Sequence, residues 1–276
     1  MMSQLTALAT RLMDTLPQAT DSPERLLTLT HLHLALYRLA DSHAIEGTWG
    51  TPRQCEQRNK ALFSVLQQKL KETDDKLTTA RLLTAMYSLI REGSFTFDER
   101  REAACTRVAN RLIKQYIKSG SEADPLTEAA VIRCLADLLY PFGADESDEW
   151  FRLLRATVNR WATQLTPEGE WAQLPLTAAY QRIHAMDSYA SMFLDETHSP
   201  AIRCATRYYL SQSDNWHIAD RIAHFYLLHV AGNYEPGQTT TLLDALQTDI
   251  DNTPSADEQL ALSVCQLYIL VDMQQL

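Results

Sequence analysis

Acidic residues stand beside aromatic residues at two predicted helix starts. Glu170 precedes Trp171, and Asp214 is followed closely by Trp216 and His217. Two carboxyl groups about 5–9.5 Å apart, one of them held protonated, can hydrolyse a glycosidic bond. Glu170 and Asp214 are therefore candidate catalytic residues. The candidate ligand-binding residues are Trp171, Trp216 and His217, because an aromatic face can hold a sugar ring or another flat ligand. The alternative is that each carboxylate only caps its own helix, which contributes about 1 kcal/mol.

A third candidate catalytic residue, Asp187, lies in an otherwise apolar predicted helix, three residues after His184. A buried carboxylate is costly unless a partner satisfies it. Arg182, Tyr180 or a residue of an adjacent helix would supply that partner. The pattern indicates either a functional acid or a structural ion pair.

The histidines of the predicted tenth helix have a spacing that suggests metal ligation. His217, Asp220 and His224 fall near one helical face. The two histidines are two turns apart, about 10 Å along the axis, so both cannot reach one ion alone. We therefore predict no metal site and no cofactor, and interpret these side chains as satisfied core histidines, with Asp220 fixing a tautomer. The same interpretation applies to the histidines of other helices, His31, His33 and His229.

The elements that must position these residues are predicted to be helices throughout. Almost every segment has a 3.6-residue hydrophobic period, and no convincing run of alternating β-branched residues occurs. Helix starts are marked by capping residues such as Ser22 before Pro23 and Ser255 before Glu258. The expected helices span about 3–16, 23–43, 52–72, 76–92, 97–119, 125–140, 146–165, 175–193, 199–212, 215–231, 237–250 and 255–274.

These twelve helices alternate in polarity along the chain. Even-numbered segments such as 77–90 are apolar nearly all round, whereas odd-numbered ones such as 98–118 have a single apolar stripe. A helix that is apolar on all sides must be surrounded by protein, so even-numbered helices are expected to be inner and odd-numbered ones outer. Leu-Thr pairs begin at positions 29, 77, 126 and 176, a repeat of about 50 residues. We predict six α-hairpins in one domain, 1–276, closed into an α/α toroid, or alternatively stacked as an open α/α superhelix.

The segment between the seventh and eighth helices carries a family resemblance. Gln164, Gly169, Glu170 and Trp171, followed by Thr177 and Ala178, resemble the Gln/Trp repeat of terpene cyclases and related α/α toroids. The resemblance implies that Trp171 stacks on the Gln164 side chain and ties an outer helix to the next inner one. It also implies a cleft over the N-terminal ends of the inner helices. The Asp-rich runs of terpene cyclases are missing from this sequence, so the likeness concerns the fold alone.

Composition excludes several classes of partner. The formal net charge is −10 and the isoelectric point is near 5.3, which argues against nucleic acid and anionic membranes as partners. No apolar run reaches the length of a membrane span, and no signal peptide is recognised, so we expect a cytoplasmic protein. The five cysteines are odd in number and far apart, which favours buried thiols over disulfides.

The sequence is consistent with two functions, of which one is enzymatic and the other is not. The first is a helical scaffold that binds a peptide, protein or small ligand at its concave face or rim. The second is a carbohydrate-active hydrolase or lyase of the α/α-toroid type, with an acidic, aromatic-lined site at the rim.

Overall fold

The computed structural model describes residues 2–42, 49–92, 99–119, 124–142, 149–193, 196–211 and 236–275. Within these ranges the chain is all-α, with eleven α-helices, one short 3₁₀-helix (Glu196–His198) and no strand. The α-helices are α1 (Met2–Met13), α2 (Pro23–Asp41), α3 (Pro52–Lys71), α4 (Lys76–Glu92), α5 (Glu99–Ser119), α6 (Pro125–Phe142), α7 (Glu149–Gln164), α8 (Leu176–Phe193), α9 (Ser199–Ser211), α10 (Pro236–Asn252) and α11 (Ala256–Gln275). Each agrees with a predicted helix to within three residues at either end. The predicted helix at 215–231 lies outside the described residues.

The helix starts follow from local side-chain chemistry. The hydroxyl of Ser22 accepts a hydrogen bond from the amide of Arg25, and Pro23 occupies the first turn of α2, where its missing N–H costs nothing. At α3, Thr51 and Gln54 bond reciprocally to each other's backbone amides and form a capping box. Asp124 accepts from two amides of the first turn of α6.

Backbone proximity groups the chain into two compact units. The first unit comprises Met1–Thr73, Ala85–Glu102 and Tyr234–Leu276, and the second comprises Asp74–Thr84 and Ala103–Asn233. In the first unit, α2 packs on α3 and on α11, and α11 also carries α1 and α10. In the second unit, α6 packs on α8 and α7, and α8 contacts α7, α9 and the 3₁₀-helix.

Helices that are apolar on most sides are more buried than helices with a single apolar stripe, as their polarity predicts. Helices α2 and α11, the second and twelfth predicted helices, belong to the first kind, and α3 belongs to the second. Ten of the nineteen residues of α2 are buried, and α11 is buried almost continuously from Leu262 to Val271. In contrast, α3 buries six of its twenty residues, with gaps of three or four residues between most of them. This single stripe is typical of a helix with one face in water.

The cysteines and the helix hydropathy add two findings. All five cysteines are free, and each is buried except the half-buried Cys204. Burial raises the pKa of the Cys265 thiol, so this side chain behaves as a small hydrophobic group rather than as a nucleophile. Among the described residues, no helix combines the length and the hydrophobicity needed to cross a bilayer.

Candidate functional site

The Gly169–Trp171 turn is a packing device that joins α7, α8 and α9. Gly169 adopts φ +101°, and a Cβ at this position would lie 2.4 Å from the carbonyl oxygen of Cys204 on α9. Only glycine combines that backbone angle with such a close approach. The indole of Trp171 is 2% exposed, and its Nε1–H donates to the carbonyl of Trp161 at 2.8 Å. Its amide donates to the Tyr209 hydroxyl at 3.1 Å.

The described ring contacts of Trp171 are with side chains other than the expected glutamine. The Tyr209 ring stacks on it with centroids 5.9 Å apart, and the Arg182 guanidinium lies 5.6 Å from its centroid. The side chain of Gln164 is exposed. None of the described contacts joins the Trp171 ring to Gln164, so the expected stacking stays a prediction, while the hydrogen bond to Trp161 does tie the turn to α7. This geometry supports the structural role of Trp171 over that of an open ligand platform.

Asp187 is neither buried nor paired in the way that the sequence predicts. The side chain is exposed, although partial desolvation by nearby protein atoms raises the pKa of its carboxyl group. Arg182, one of the expected partners, instead forms an ion pair with Glu128 at 3.3 Å, and Tyr180, another of them, packs edge-on against His184. The prediction of a buried, paired Asp187 is thus wrong, because its position on α8 faces solvent rather than a neighbouring helix.

The remaining predicted site residues are not brought together by the described part of the chain. Glu170 lies before α8, and local desolvation together with the Glu170 carboxylate raises the pKa of the Tyr208 hydroxyl beside it. Asp187 lies eleven residues into α8, about 16 Å along the helix axis from its first residue. No described contact joins the two carboxylates. Asp214, Trp216 and His217 lie outside the described residues, as do Asp220, His224 and His229.

The half-buried carboxylate that does collect partners is Glu128 on α6, which the sequence analysis did not single out. Its oxygens accept from Arg160 at 2.6 Å, from the Trp161 indole at 3.0 Å and from the Tyr116 hydroxyl at 3.1 Å, in addition to Arg182. Burial opposes the ionisation of Glu128, but the Trp161 hydrogen bond and the Arg160 charge outweigh it and hold the pKa of this carboxyl group below its ordinary value. The signal was present, because Glu128, like Asp187, is an acid in an apolar run.

A second polar cluster joins α6 and α8 but lacks the geometry of a catalytic triad. Ser188 donates to the buried Asp137 at 3.2 Å, and His184 Nδ1 lies 3.4 Å from Ser188 Oγ and 3.8 Å from Asp137 Oδ1. A triad needs the serine on one ring nitrogen and the aspartate on the other. Here both face the same nitrogen. Ser188 is therefore not activated by His184, and the cluster serves to pair α6 with α8.

The candidate binding site is a groove of about 520 Å³ in the first unit, where α1 and α10 both pack on α11. We call it the α1–α10 groove. Its lining consists of Ala7, Leu8 and Arg11 on α1, of Thr240, Leu243, Asp244 and Gln247 on α10, and of Gln266 and Leu270 on α11. The α10 residues follow the i, i+3, i+4, i+7 spacing of one helical face. A volume of this size lies within the range of known ligand pockets.

The groove combines an apolar base with a polar rim. Leu8 and Leu270 are buried, whereas Ala7, Arg11 and Asp244 are exposed at its edges. Among the described residues, Arg11 donates a hydrogen bond to the Ser263 hydroxyl at 3.4 Å, and the Asp244 carboxylate has no ion-pair partner. The described lining residues include no thiol, no imidazole and no pair of carboxylates.

Metal ligation has no candidate in this part of the chain, since the described residues contain no group of three or more histidine, cysteine or acidic side chains placed to hold an ion.

Comparison with protein-family models, with the curated proteins and with the solved structures finds no match.

Proposed function

We propose that the protein is a helical scaffold that binds a peptide segment of a partner in the α1–α10 groove. The observation that carries the proposal is the groove itself, an open cleft between two helices with leucines at its base and amides and charges at its rim. Leucines at the base remove apolar side chains of the ligand from water, at about 25 cal/mol per Å² buried. The rim amides of Gln247 and Gln266 can each donate and accept a hydrogen bond.

A peptide fits the groove better than a compact polar ligand such as a sugar. Sugars are held by aromatic faces and by carboxylates that accept hydrogen bonds from several hydroxyl groups, and the described lining residues of the groove include no aromatic ring. The site proposed here is a groove between α1 and α10, rather than the concave face or rim that the sequence suggested. A carbohydrate-active enzyme stays the alternative, with Glu170 and Asp214 as its candidate catalytic residues.

The closed α/α toroid also stays a proposal. Its support is the packing of α11 on α2 in the first unit. That contact joins the last predicted inner helix to the first, as a closed ring requires and an open superhelix does not. We likewise propose that the chain belongs to the α/α-toroid superfamily, forms a single domain and is cytoplasmic.

The binding proposal is tested by filling the groove. Ala7 and Ala245 are both exposed alanines, but only Ala7 lines the groove. A displayed random-peptide library is selected on the full chain, and the affinities of the selected peptides are measured by fluorescence anisotropy. Ala7→Trp is expected to weaken binding by about tenfold or more, equivalent to about 1.4 kcal/mol, while Ala245→Trp leaves the affinity unchanged. Thermal melts of both variants check that neither has lost its fold.

Selection of no peptide at all, or equal binding by the two variants, would contradict the proposal. Conversely, a glycan that raises the melting temperature of the full chain, and does so less for a Glu170→Gln variant, would favour the enzyme.

A further inference from the structure

The helices that border the α1–α10 groove have a strongly one-sided charge. Helices α10 and α11 contain three acidic residues each and no lysine or arginine. Helix α1 contributes a single charged residue, Arg11. One of the six acids, Asp257, is held by Arg25. The surroundings of the groove are thus more acidic than the chain as a whole, in which 25 basic residues partly balance 35 acidic ones.

The positions of the charges follow the geometry of the groove. Asp244 lies on the groove face of α10, next to Leu243, and is exposed without an ion-pair partner among the described residues. Asp251, two turns further along α10, is also exposed. It accepts a hydrogen bond from the lining residue Gln247 at 2.8 Å. A ligand that enters the groove therefore meets the Asp244 and Asp251 carboxylates along α10 and a single guanidinium, that of Arg11, on α1.

From this arrangement we infer that the occupant of the groove is a basic amphipathic helix, with an apolar stripe toward Leu8, Leu243 and Leu270 and lysine or arginine along its flanks. The inference rests on the proposed function and names its partner class. A helix satisfies its own backbone hydrogen bonds, so the groove has to supply only apolar contacts and opposite charge. A second copy of this chain is disfavoured as the occupant, because two acidic faces would repel each other.

The test uses three synthetic helical peptides that share one leucine stripe. All remaining positions are lysine in the first peptide, glutamine in the second and glutamate in the third. Their affinities for the full chain are measured by fluorescence anisotropy at low and high salt. The lysine peptide is expected to bind most tightly and the glutamate peptide least. Added salt should reduce the advantage of the lysine peptide, because exposed charges are screened.

Two matched variants locate the effect. Asp244→Asn removes one negative charge from the groove, and Glu149→Gln removes one from an exposed position of the second unit. Asp244→Asn is expected to weaken the lysine peptide by about threefold, a typical effect of a rim charge, and to leave the glutamine peptide unchanged. Glu149→Gln should change neither affinity.

The outcomes separate this inference from the proposed function. If Ala7→Trp blocks all three peptides but the lysine and glutamine peptides bind equally, the groove binds peptides and the basic partner is wrong. If Glu149→Gln weakens the lysine peptide as much as Asp244→Asn does, the attraction comes from the net charge of the protein and the inference is overturned. If Ala7→Trp affects none of the peptides, both proposals fail.

Discussion

Mild acid is expected to destabilise the first unit through His33 on α2. The side chain is 3% exposed, and its Nδ1 has no hydrogen-bond partner among the described residues, so the expectation of a satisfied core histidine does not hold for this nitrogen. Burial, and secondarily the nearby Arg58 charge, lowers the pKa of His33 from 6.5 to about 4, although the carbonyl groups of Thr15 and Arg58 partly offset both effects. The folded protein therefore keeps this imidazole neutral.

The size and direction of the effect follow from the difference in proton affinity. The unfolded chain binds a proton at His33 below pH 6.5, and the folded chain does so only near pH 4. The contribution is fully present above pH 6.5 and is lost as the pH falls toward 4. The gap corresponds to about 3 kcal/mol, at 1.36 kcal/mol per pH unit. A typical domain has about 5–15 kcal/mol of stability, so a loss of this size is readily measured.

The assay is equilibrium unfolding in urea at several pH values between 7.5 and 4, monitored by circular dichroism. Other groups titrate in the same range, so the quantity compared is the difference between wild type and His33→Gln. This variant should be less stable than wild type at pH 7.5, and the gap should narrow by about 3 kcal/mol toward pH 4. Thr30→Val is the matched control. Thr30 is a buried, non-titrating residue of the same helix, and its hydroxyl donates to the Leu26 carbonyl at 2.9 Å.

Thr30→Val should keep a constant difference from wild type at every pH, because no proton is gained or lost at this position. A His33→Gln protein whose stability falls with pH as steeply as that of wild type would refute the reasoning. That result would show that the folded protein accommodates the charged imidazole, through the Thr15 and Arg58 carbonyls or through movement of the Arg58 side chain.

Three further predictions concern the second unit, and each is measured as a shift in the midpoint of thermal or chemical unfolding. Gly169→Ala should lower the free energy of unfolding by more than about 1 kcal/mol, which is the usual cost of a non-glycine residue at positive φ. The added Cβ would also lie 2.4 Å from the Cys204 carbonyl oxygen. An unchanged midpoint would contradict the described turn. Trp171→Phe should cost about 1–3 kcal/mol by leaving the Trp161 carbonyl without its donor, whereas normal stability with lost ligand binding would restore the platform interpretation. Glu128→Gln should cost about 3–5 kcal/mol, since it leaves the buried Arg182 without its counter-ion, and a neutral effect would show that solvent already screens this cluster.

The order and bounds of the helices were within reach of the sequence. The capping residue Ser22, the first-turn Pro23 and the 3.6-residue period all act within one or two turns of the chain, so each can be recognised without knowledge of the fold. The alternation between apolar and amphipathic helices is of the same kind, because the width of an apolar stripe reports how much of a helix is covered.

The partners of the polar side chains were not within reach. Glu128 and Asp187 look alike in the sequence, each an acid in an apolar helix, yet Glu128 meets Arg160 and Arg182 while Asp187 faces solvent. Which outcome applies depends on the rotation of each helix about its axis. The partners of Glu128 lie 32 and 54 positions further along the chain, so this rotation is set only when distant helices pack together.

Sequence alone thus determined that the described part of the chain is helical, where each described helix begins and ends to within three residues, and that the net charge is negative. Tertiary structure alone decided that Trp171 is covered by Tyr209 and Arg182, and that α1 and α10 leave a groove over α11 although more than 220 residues separate them. The physical reason is range. Helix formation rests on hydrogen bonds four residues apart, whereas a groove or an ion-pair cluster exists only after distant helices have packed.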